Sequence, residues 1–363
     1  MSQTRPPDFM ERALFHAARG RGTTSPNPMV GAVVVSPDGI VVGQGYHARA
    51  GDAHAEVRAL DMAGAQARGA TLFCTLEPCC HTGRTPPCAP RVVEAGIARV
   101  VVAVEDPNPI VKGRGFAYLR EHGVEVVVGP GAEAAVRLNQ PFMTQMRIGR
   151  PFVVAKAAVS ADGMIAARPG ARTALTSAAA NRHAHAFRAE VDAIGVGSGT
   201  VLVDDPELTA RGAYRARPLL RVVFDRRLRT PPTARVLSTL AAGPVMIITS
   251  RAAYAQLDRR EALVARGATL VVAPDASLAS AIGLLTRHDV NSLLIEGGSA
   301  LHAAAWDEGL IDFVRLYMTP HRLGVAGVPL VGGRHLNLEA LVERRSRALG
   351  PDTLVEGYVH GPR

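Results

Sequence analysis

A histidine, a glutamate and two cysteines are the residues that could form a catalytic metal site. His54 and Glu56 stand in the stretch HAEV, and Cys79 and Cys88 lie in TLEPCCHTGRTPPC, residues 75–88, which holds three of the chain's four cysteines. One imidazole and two thiolates form a zinc set whose fourth position stays open to water, as in catalytic sites. Glu56 beside that water would take up a proton and deliver one to a leaving group. His-x-Glu followed by Pro-Cys is the zinc-deaminase signature, here with a longer spacing to the second cysteine.

Other interpretations of the same loop are weaker. A disulfide would be unusual in a chain that we expect to be cytoplasmic. Cys74 falls in a predicted strand, where a lone cysteine is usually a small core residue. We interpret Cys80 as a non-ligand. A structural zinc site would need Cys80 or His81 as the fourth ligand, and it would leave Glu56 without a role.

A strand, two glycines and a helix near the C-terminus indicate an anion site. The stretch LLIEGGSALHAAAW ends a predicted strand at Glu296, and Ser299 can cap the helix that follows. Main-chain amides at such a helix start suit a pyrophosphate, although an ordinary Gly-Gly turn explains the pattern equally well. GVGSGTVLVDDPELTAR, residues 195–211, is not a dinucleotide-binding fingerprint, because Thr200 stands where the third glycine would be.

Strands and helices alternate around the first set of residues. Helices are predicted, with Asp8 as the first N-cap, over residues 8–20, 54–66, 87–95 and 115–123. A hairpin with a Pro-Asp-Gly turn is predicted over 30–46, and strands over 70–76, 98–106 and 124–129. The pattern predicts an α/β sandwich with a mixed sheet. A connecting helix ends near 147–151, so we expect a first domain over residues 1–147.

A second and different α/β pattern covers residues 151–363. Strands are predicted over 151–160, 192–201, 219–225, 244–250, 268–274, 291–298 and 313–320. Helices are predicted between them, including 177–191 and 299–310. His183 and His185 fall on different faces of the first of these helices, and we interpret them as ordinary surface or core residues.

Composition excludes several classes of protein. A chain of 363 residues with 47% apolar residues has material for two globular cores. The chain has no apolar run long enough for a transmembrane helix and no apolar signal-peptide core at its N-terminus. The formal charge is +9, but the basic residues are scattered and aromatic residues make up only 4%. We therefore expect phosphorylated small molecules as ligands, with no nucleic acid and no membrane as partners.

Four stretches of the first domain resemble one family. TTSPNPMVGAVVV, GYHARAGDAHAEV, TLEPCCHTGRTPPC and EDPNP are similar, in order, to the deaminase domain of the bifunctional deaminase–reductase of riboflavin biosynthesis. The resemblance implies a cytidine-deaminase-like αβα sandwich, and a hydrolytic deamination of a diamino-pyrimidinone ribosyl phosphate with one zinc ion per chain. It implies that the substrate pocket includes Asn27, His47, His81, Arg84, Asp106 and Asn108.

The second domain is similar to the reductase domain of that family. KAAVSADG, LTS, FRAEVDAIGVGSGTVLVDDPELTAR and IEGGSALHAAA carry the resemblance. It implies a dihydrofolate-reductase-like α/β domain that uses NADPH to reduce the ribosyl side chain to ribityl, in a homodimer or higher homo-oligomer. The implied substrate contacts are Arg188, Leu208, Arg211 and Glu296. The implied cofactor contacts are Ala158, Ala174, Thr200, Asp204, Gly297, Gly298, Ser299, Ala300 and Leu301.

Two positions depart from the family pattern as we expect it. Ala174 replaces a tryptophan before the LTS-like motif, and Arg226 replaces a small polar residue. Arg226 or Arg227 could hold the 2′-phosphate of NADPH, or either could be a solvated arginine after a strand. Two rival functions are a nucleic-acid deaminase with an appended binding domain and a non-catalytic zinc-stabilised binding module. Neither explains DDPELTAR and IEGGS.

Overall fold

The computed structural model describes residues 8–83, 85–333 and 336–362. The chain divides between Ile148 and Gly149 into two compact units. Among the described residues, every helix is too short or too polar to cross a membrane. Arg84, one of the predicted pocket residues, lies outside the described residues.

The N-terminal unit is a five-stranded mixed sheet with helices on both faces. Its strands are β1 (Gly31–Val35), β2 (Val41–Tyr46), β3 (Thr71–Cys74), β4 (Arg99–Val102) and β5 (Glu125–Val128), in the spatial order β2-β1-β3-β4-β5. Its helices are α1 (Phe9–Ala18), α2 (Ala55–Ala63), α3 (Cys88–Glu94), α4 (Arg114–Glu121), α5 (Ala132–Leu138) and α6 (Gln140–Ile148). β1 is antiparallel to β2 and β3, whereas β3, β4 and β5 are parallel.

Alternation along β1 explains the two helical layers. Ala32 and Val34 pack in the core cluster that contains residues of α2, α3 and α4, whereas Val33 and Val35 pack in the cluster with α1 and α5. Successive side chains of a strand point to opposite faces, so both faces of this apolar strand are covered. The predicted hairpin and mixed sheet are confirmed. Asp8 caps α1 as predicted, because its Oδ1 accepts hydrogen bonds from the amides of Met10 and Glu11.

The C-terminal unit contains a nine-stranded sheet. Its strands are β6 (Phe152–Val159), β8 (Ala193–Gly197), β9 (Leu220–Phe224), β10 (Val245–Thr249), β11 (Ala268–Val272), β12 (Ser292–Ile295), β13 (Phe313–Met318), β15 (Val342–Leu349) and β16 (Asp352–Tyr358). Their order is β11-β10-β9-β8-β12-β6-β13-β16-β15, and β7 (Met164–Ala166) pairs separately with β14 (Val328–Pro329). In this spatial order, every adjacent pair from β11 to β13 is parallel. β16 is antiparallel to both of its neighbours, β13 and β15.

Helices of the C-terminal unit cover both faces of the sheet. They are α7 (Ala178–Arg188), α8 (Ser198–Asp204), α9 (Arg235–Ser238), α10 (Arg251–Tyr254), α11 (Leu257–Ala265), α12 (Leu278–Gly283) and α13 (Ser299–Asp307). Residues of α12 and α13 pack with Val153 and Ala155 of β6, while residues of α8, α9 and α11 pack with Val154 of the same strand. β8 and β12 end beside each other, so the residues that follow them meet at one edge of the sheet.

The structure corrects two parts of the sequence prediction in this unit. The strand predicted over 192–201 ends at Gly197, and the residues from Ser198 form α8. The hairpin of β15 and β16 was not predicted. β15 reads VERRSRAL and is exposed along most of its length, so it lacks the apolar alternation from which strands are predicted.

Candidate active sites

Two helix starts and one loop bring the three predicted zinc ligands of the N-terminal unit together. His54 is the N-cap residue of α2, Cys88 is the first residue of α3, and Cys79 lies in the loop after β3. Their ligand atoms lie within 4.8 Å of one another, and His54 Nδ1 is 3.1 Å from Cys88 Sγ and 3.6 Å from Cys79 Sγ. One imidazole nitrogen and two sulfur atoms at these separations fit a single zinc ion.

The surroundings of Cys79 favour its thiolate form. The hydrogen bond with the Cys88 thiol, and then the one with His54, lower the pKa of the Cys79 thiol to about 4. The main-chain amide of Cys88, at the start of α3, also points at Cys79 Sγ over 3.4 Å. Because the thiolate is the form that binds metal, the loop prepares Cys79 as a ligand.

Glu56 lies in the first turn of α2 and lines the same cavity as the cysteine loop. Its side chain is buried, at 3% exposure, and burial raises its pKa to about 6. The cavity has a volume of about 250 Å³. A carboxyl group in such surroundings can exchange protons near neutral pH, which suits a general acid and base.

Five of the six predicted substrate residues of this unit line that cavity: Asn27, His47, His81, Asp106 and Asn108. Asn27 Nδ2 is 3.1 Å from His47 Nε2, and the carboxylate of Asp106 accepts a hydrogen bond from the amide of Asn108 over 2.8 Å. Burial raises the pKa of Asp106 to about 7. These are polar groups in an enclosed site, as recognition of a polar ring requires.

Sequence reasoning missed Glu77, which organises one wall of this cavity. Its carboxylate accepts hydrogen bonds from four main-chain amides, those of Asp106, Gly113, Gly115 and Phe116, over 2.9–3.3 Å. These bonds tie the segment that carries Asp106 to the segment that carries Cys79. The available signal was a lone charged residue between an apolar strand and a proline in TLEPC.

The cavity of the C-terminal unit is larger, at about 670 Å³. It opens at the edge where β8 and β12 end. Twelve predicted contacts line it: Ala158, Arg188, Thr200, Asp204, Leu208, Arg211, Glu296, Gly297, Gly298, Ser299, Ala300 and Leu301. A Cβ atom at Gly298 would lie 3.2 Å from Thr200 Oγ1, so a larger residue would crowd that hydroxyl.

Two predicted contacts lie outside the lining of this cavity in the described part of the chain. Ala174 is exposed and follows Thr173, which does line the cavity. Arg226 is exposed just after β9, where its carbonyl oxygen accepts a hydrogen bond from the hydroxyl of Ser250. Three arginines that were not predicted as contacts, Arg168, Arg172 and Arg235, also line this cavity. They make part of its wall basic.

A cluster of charges forms one wall of the larger cavity. Nε and Nη2 of Arg188 donate hydrogen bonds to the two carboxylate oxygens of Glu296 over 2.6 and 2.7 Å. Lys156 Nζ is 3.3 Å from the same carboxylate. Burial favours the neutral form of Glu296, but the charges of Arg188 and Lys156 outweigh it and hold its pKa far below the usual range. Burial lowers the pKa of the neighbouring His302 to about 4.

Sequence reasoning missed Lys156 as a site residue, although it quoted the motif that Lys156 begins. The available signal was composition, because Lys156 is one of only two lysines in a chain that otherwise uses arginine.

Three further polar side chains of this unit, Asp162, His183 and His185, have partners within the chain. Asp162 accepts hydrogen bonds from Ser160 Oγ and from the amides of Leu323 and Gly324. His183 Nδ1 lies 2.9 Å from the hydroxyl of Tyr317, and His185 Nδ1 lies 3.1 Å from the carbonyl oxygen of Thr209.

Comparison with known proteins assigns each unit to a family. Residues 4–104 match the cytidine and deoxycytidylate deaminase zinc-binding region, and residues 151–355 match the RibD C-terminal domain. The riboflavin biosynthesis protein RibD of Bacillus amyloliquefaciens is 41% identical, over 90% of this chain and 87% of that protein. The chain belongs to the RibD family. It is a bifunctional enzyme of riboflavin biosynthesis with a zinc-dependent deaminase domain and an NADPH-dependent reductase domain.

Solved structures agree with this assignment over nearly the whole chain. Acinetobacter baumannii RibD superposes with a TM-score of 0.85 at 36% identity, covering 96% of this chain and 97% of that one. A Thermotoga maritima protein, described as a diaminohydroxyphosphoribosylaminopyrimidine deaminase and 5-amino-6-(5-phosphoribosylamino)uracil reductase, superposes with a TM-score of 0.83 at 33% identity, with 96% and 97% coverage. The cytidine-deaminase-like and reductase folds predicted from the RibD resemblance are therefore confirmed.

Proposed function

We propose that the N-terminal domain, residues 1–147, hydrolytically deaminates a diamino-pyrimidinone that carries a phosphoribosylamino group. The C-terminal domain, residues 151–363, then reduces the ribosyl side chain of the product to ribityl. The observation that carries this proposal is that Glu56 lines one cavity with His54 and Cys79, whose ligand atoms lie within 4.8 Å of one another and of Cys88 Sγ. The described activities of the Thermotoga maritima protein support the choice of substrates.

In the deaminase step, Glu56 moves the protons. His54, Cys79 and Cys88 would hold the zinc ion, which would supply the Lewis acidity that activates water as a nucleophile. The water oxygen bonds to the ring carbon that carries the amino group, and Glu56 accepts the proton that the water loses. Glu56 then protonates the amino nitrogen, the C–N bond breaks, and ammonia leaves.

Side chains around the same cavity hold the pyrimidine. Asn27, His47, His81, Asp106 and Asn108 present donors and acceptors to the ring and its substituents. We assign Arg84, three positions after His81 in the sequence, to the phosphate on the basis of its charge. The Glu77 hydrogen bonds fix the wall that carries Asp106, so the ring is oriented before the water attacks.

In the reductase step, the chain holds two ligands and fixes the charge between them. NADPH supplies the hydride when it is bound. NADPH contacts the main-chain amides of residues 297–301, at the start of α13. Its other phosphate and nicotinamide contacts are Thr200, Ala158 and Asp204. Arg188, Leu208, Arg211 and Glu296 contact the substrate. We keep Ala174 and Arg226 as predicted cofactor contacts, and homodimer formation and a cytoplasmic location as predictions of the family resemblance.

A coupled assay tests both steps. The diamino-pyrimidinone phosphate is incubated with the full chain and NADPH, and ammonia release and NADPH oxidation are followed together, beside Glu56→Ala. We expect ammonia and then NADPH loss from the wild-type chain, and neither from the variant. The variant should regain NADPH oxidation when the deaminated product is added. Ammonia release by Glu56→Ala at the wild-type rate would exclude the proposed role of Glu56.

A further inference from the structure

The second ring nitrogen of His54 has a defined partner inside the chain. While Nδ1 faces the two cysteine sulfur atoms, Nε2 lies 3.0 Å from the side-chain oxygen of Thr85. Thr85 lines the deaminase cavity together with His54 and Glu56. The ring therefore has one nitrogen for the metal and one for a hydroxyl.

The chemistry of imidazole makes this second contact important. A neutral imidazole carries its proton on one nitrogen and a lone pair on the other. A zinc ion at Nδ1 needs the lone pair there, so the proton must be on Nε2. With the metal at Nδ1, the oxygen of Thr85 accepts a hydrogen bond from that N–H, because a hydroxyl can take either role. The bond then stabilises the tautomer that binds metal and fixes the rotation of the ring.

The position of Thr85 in the chain ties it to another ligand. Only Pro86 and Pro87 separate it from Cys88, and Pro87 is the N-cap residue of α3. The amide of Gly83 donates a hydrogen bond to the carbonyl oxygen of Thr85 over 3.2 Å. The Thr85–Cys88 segment thus supplies both a ligand and the partner of another ligand.

We propose that Thr85 is a positioning residue that holds His54 in its metal-binding tautomer and so sets the zinc affinity of the deaminase site. The proposal rests on the assignment of His54, Cys79 and Cys88 as ligands under the proposed function. It does not give Thr85 a part in proton transfer, which remains with Glu56.

Zinc affinity measured without turnover tests the proposal. The full chain is stripped of metal and titrated with zinc against a chromophoric chelator, for the wild type and for Thr85→Val and Thr85→Ser. Valine keeps the shape and removes the oxygen, so we expect the zinc Kd to rise about 10- to 100-fold. Serine keeps the hydroxyl, and its Kd should stay within about threefold of the wild-type value on that same basis.

Two further variants make the outcome specific. Thr82→Val changes an exposed threonine of the same loop and should leave the Kd unchanged. Cys88→Ala removes a ligand and should weaken binding more than Thr85→Val does. A wild-type Kd for Thr85→Val, or an equal loss in Thr82→Val, would overturn the role of Thr85. A wild-type Kd for Cys88→Ala would instead overturn the ligand assignment itself.

Activity at saturating zinc separates positioning from catalysis. If Thr85 acts through His54, excess zinc should restore ammonia release by Thr85→Val to within a few-fold of the wild-type rate. A loss that excess zinc does not restore would contradict the proposal, because it would place Thr85 on the substrate. NADPH oxidation with the deaminated product reports that the variant chain is folded.

Discussion

Glu56 and Glu296 are both buried carboxyl groups that line a cavity, but their neighbours differ. Glu56 shares its cavity with three histidines, the Cys79 thiol and the carboxyl groups of Glu77 and Asp106, and burial raises its pKa to about 6. Glu296 binds Arg188 through two hydrogen bonds and contacts Lys156, so its pKa lies far below the usual range although its side chain is only 7% exposed.

The difference follows from the two reactions. Hydrolytic deamination needs a group that gains and loses a proton, so a pKa near neutral pH is useful. In the proposed reductase step NADPH supplies the hydride, and an ionised Glu296 can contact the substrate without gaining or losing a proton. The chain pairs Glu296 with the side chains of Arg188 and Lys156, whereas Glu56 lies beside the proposed zinc ligands.

The largest expected effect is on proton transfer. Glu56→Gln keeps the shape of the side chain and removes its ability to carry a proton. Ammonia release should fall about 10²- to 10⁴-fold, while reduction of the deaminated product should be unchanged. Steady-state assays of both steps measure this, with Glu94→Gln, an exposed residue of α3, as the control. An equal loss in both steps would show that Glu56 supports the fold rather than the chemistry.

The second effect concerns the fixed charge. Arg188→Met keeps much of the packing and leaves Glu296 with Lys156 as its cation. Breaking a buried ion pair of this kind should lower the free energy of unfolding by about 3–5 kcal/mol. Urea denaturation of the full chain measures the change, with Arg344→Met as control, because the Arg344–Glu339 pair is exposed and should contribute less than about 1 kcal/mol. Equal effects in the two variants would contradict the comparison.

The third prediction concerns Glu77, a buried carboxylate that is bound by main-chain amides instead of cations. Glu77→Gln replaces an acceptor oxygen by an NH₂ group, which cannot accept the main-chain hydrogen bonds. The free energy of unfolding should fall by about 1–3 kcal/mol. The KM of the deaminase step should rise because the Asp106 wall loosens. Denaturation and initial rates measure this beside Glu121→Gln, an exposed residue at the end of α4. An unchanged KM would limit Glu77 to a stabilising role.

The smallest effect is a pH dependence in the C-terminal domain. His302 has a folded-state pKa of about 4, below its ordinary value of 6.5, so the unfolded chain takes up the proton first. Its contribution to stability is present above pH 6.5 and is lost as the pH falls towards 4. Between pH 7.5 and 5.5 the loss is about 1.4 kcal/mol.

His302→Gln should remove that part of the pH dependence, because glutamine does not titrate. Urea denaturation at pH 7.5 and pH 5.5 measures the difference. His122→Gln, an exposed histidine after α4, should keep the wild-type dependence. If His302→Gln kept it too, His302 would be protonated in the folded chain.

The deaminase site was largely predictable because its residues act through local structure. His54 and Cys88 stand at helix starts, which can be recognised from the sequence, and residue type alone makes His, Cys and Glu suitable for zinc and proton chemistry. The roles of Thr85 and Glu77 were not predictable. Each depends on one contact geometry, and threonine and glutamate have ordinary roles in most loops.

The reductase site was predictable only in part. Family motifs marked Arg188 and Glu296, but the ion pair joins residues 108 positions apart, and the Lys156 contact joins residues 140 positions apart. No local pattern encodes such pairs. The same reason explains why β15 was missed: its strand form depends on pairing with β16, not on its own apolar alternation.

The sequence by itself determined the ligand types, the helix starts and the two-domain α/β pattern, because these follow from side-chain chemistry and short-range periodicity. The tertiary structure decided which charges meet and which are buried. Coulomb interaction and the cost of removing a charge from water depend on distance and exposure, and both are properties of the folded chain. For that reason only the fold could show that Glu56 and Glu296, the same residue type, have opposite pKa shifts.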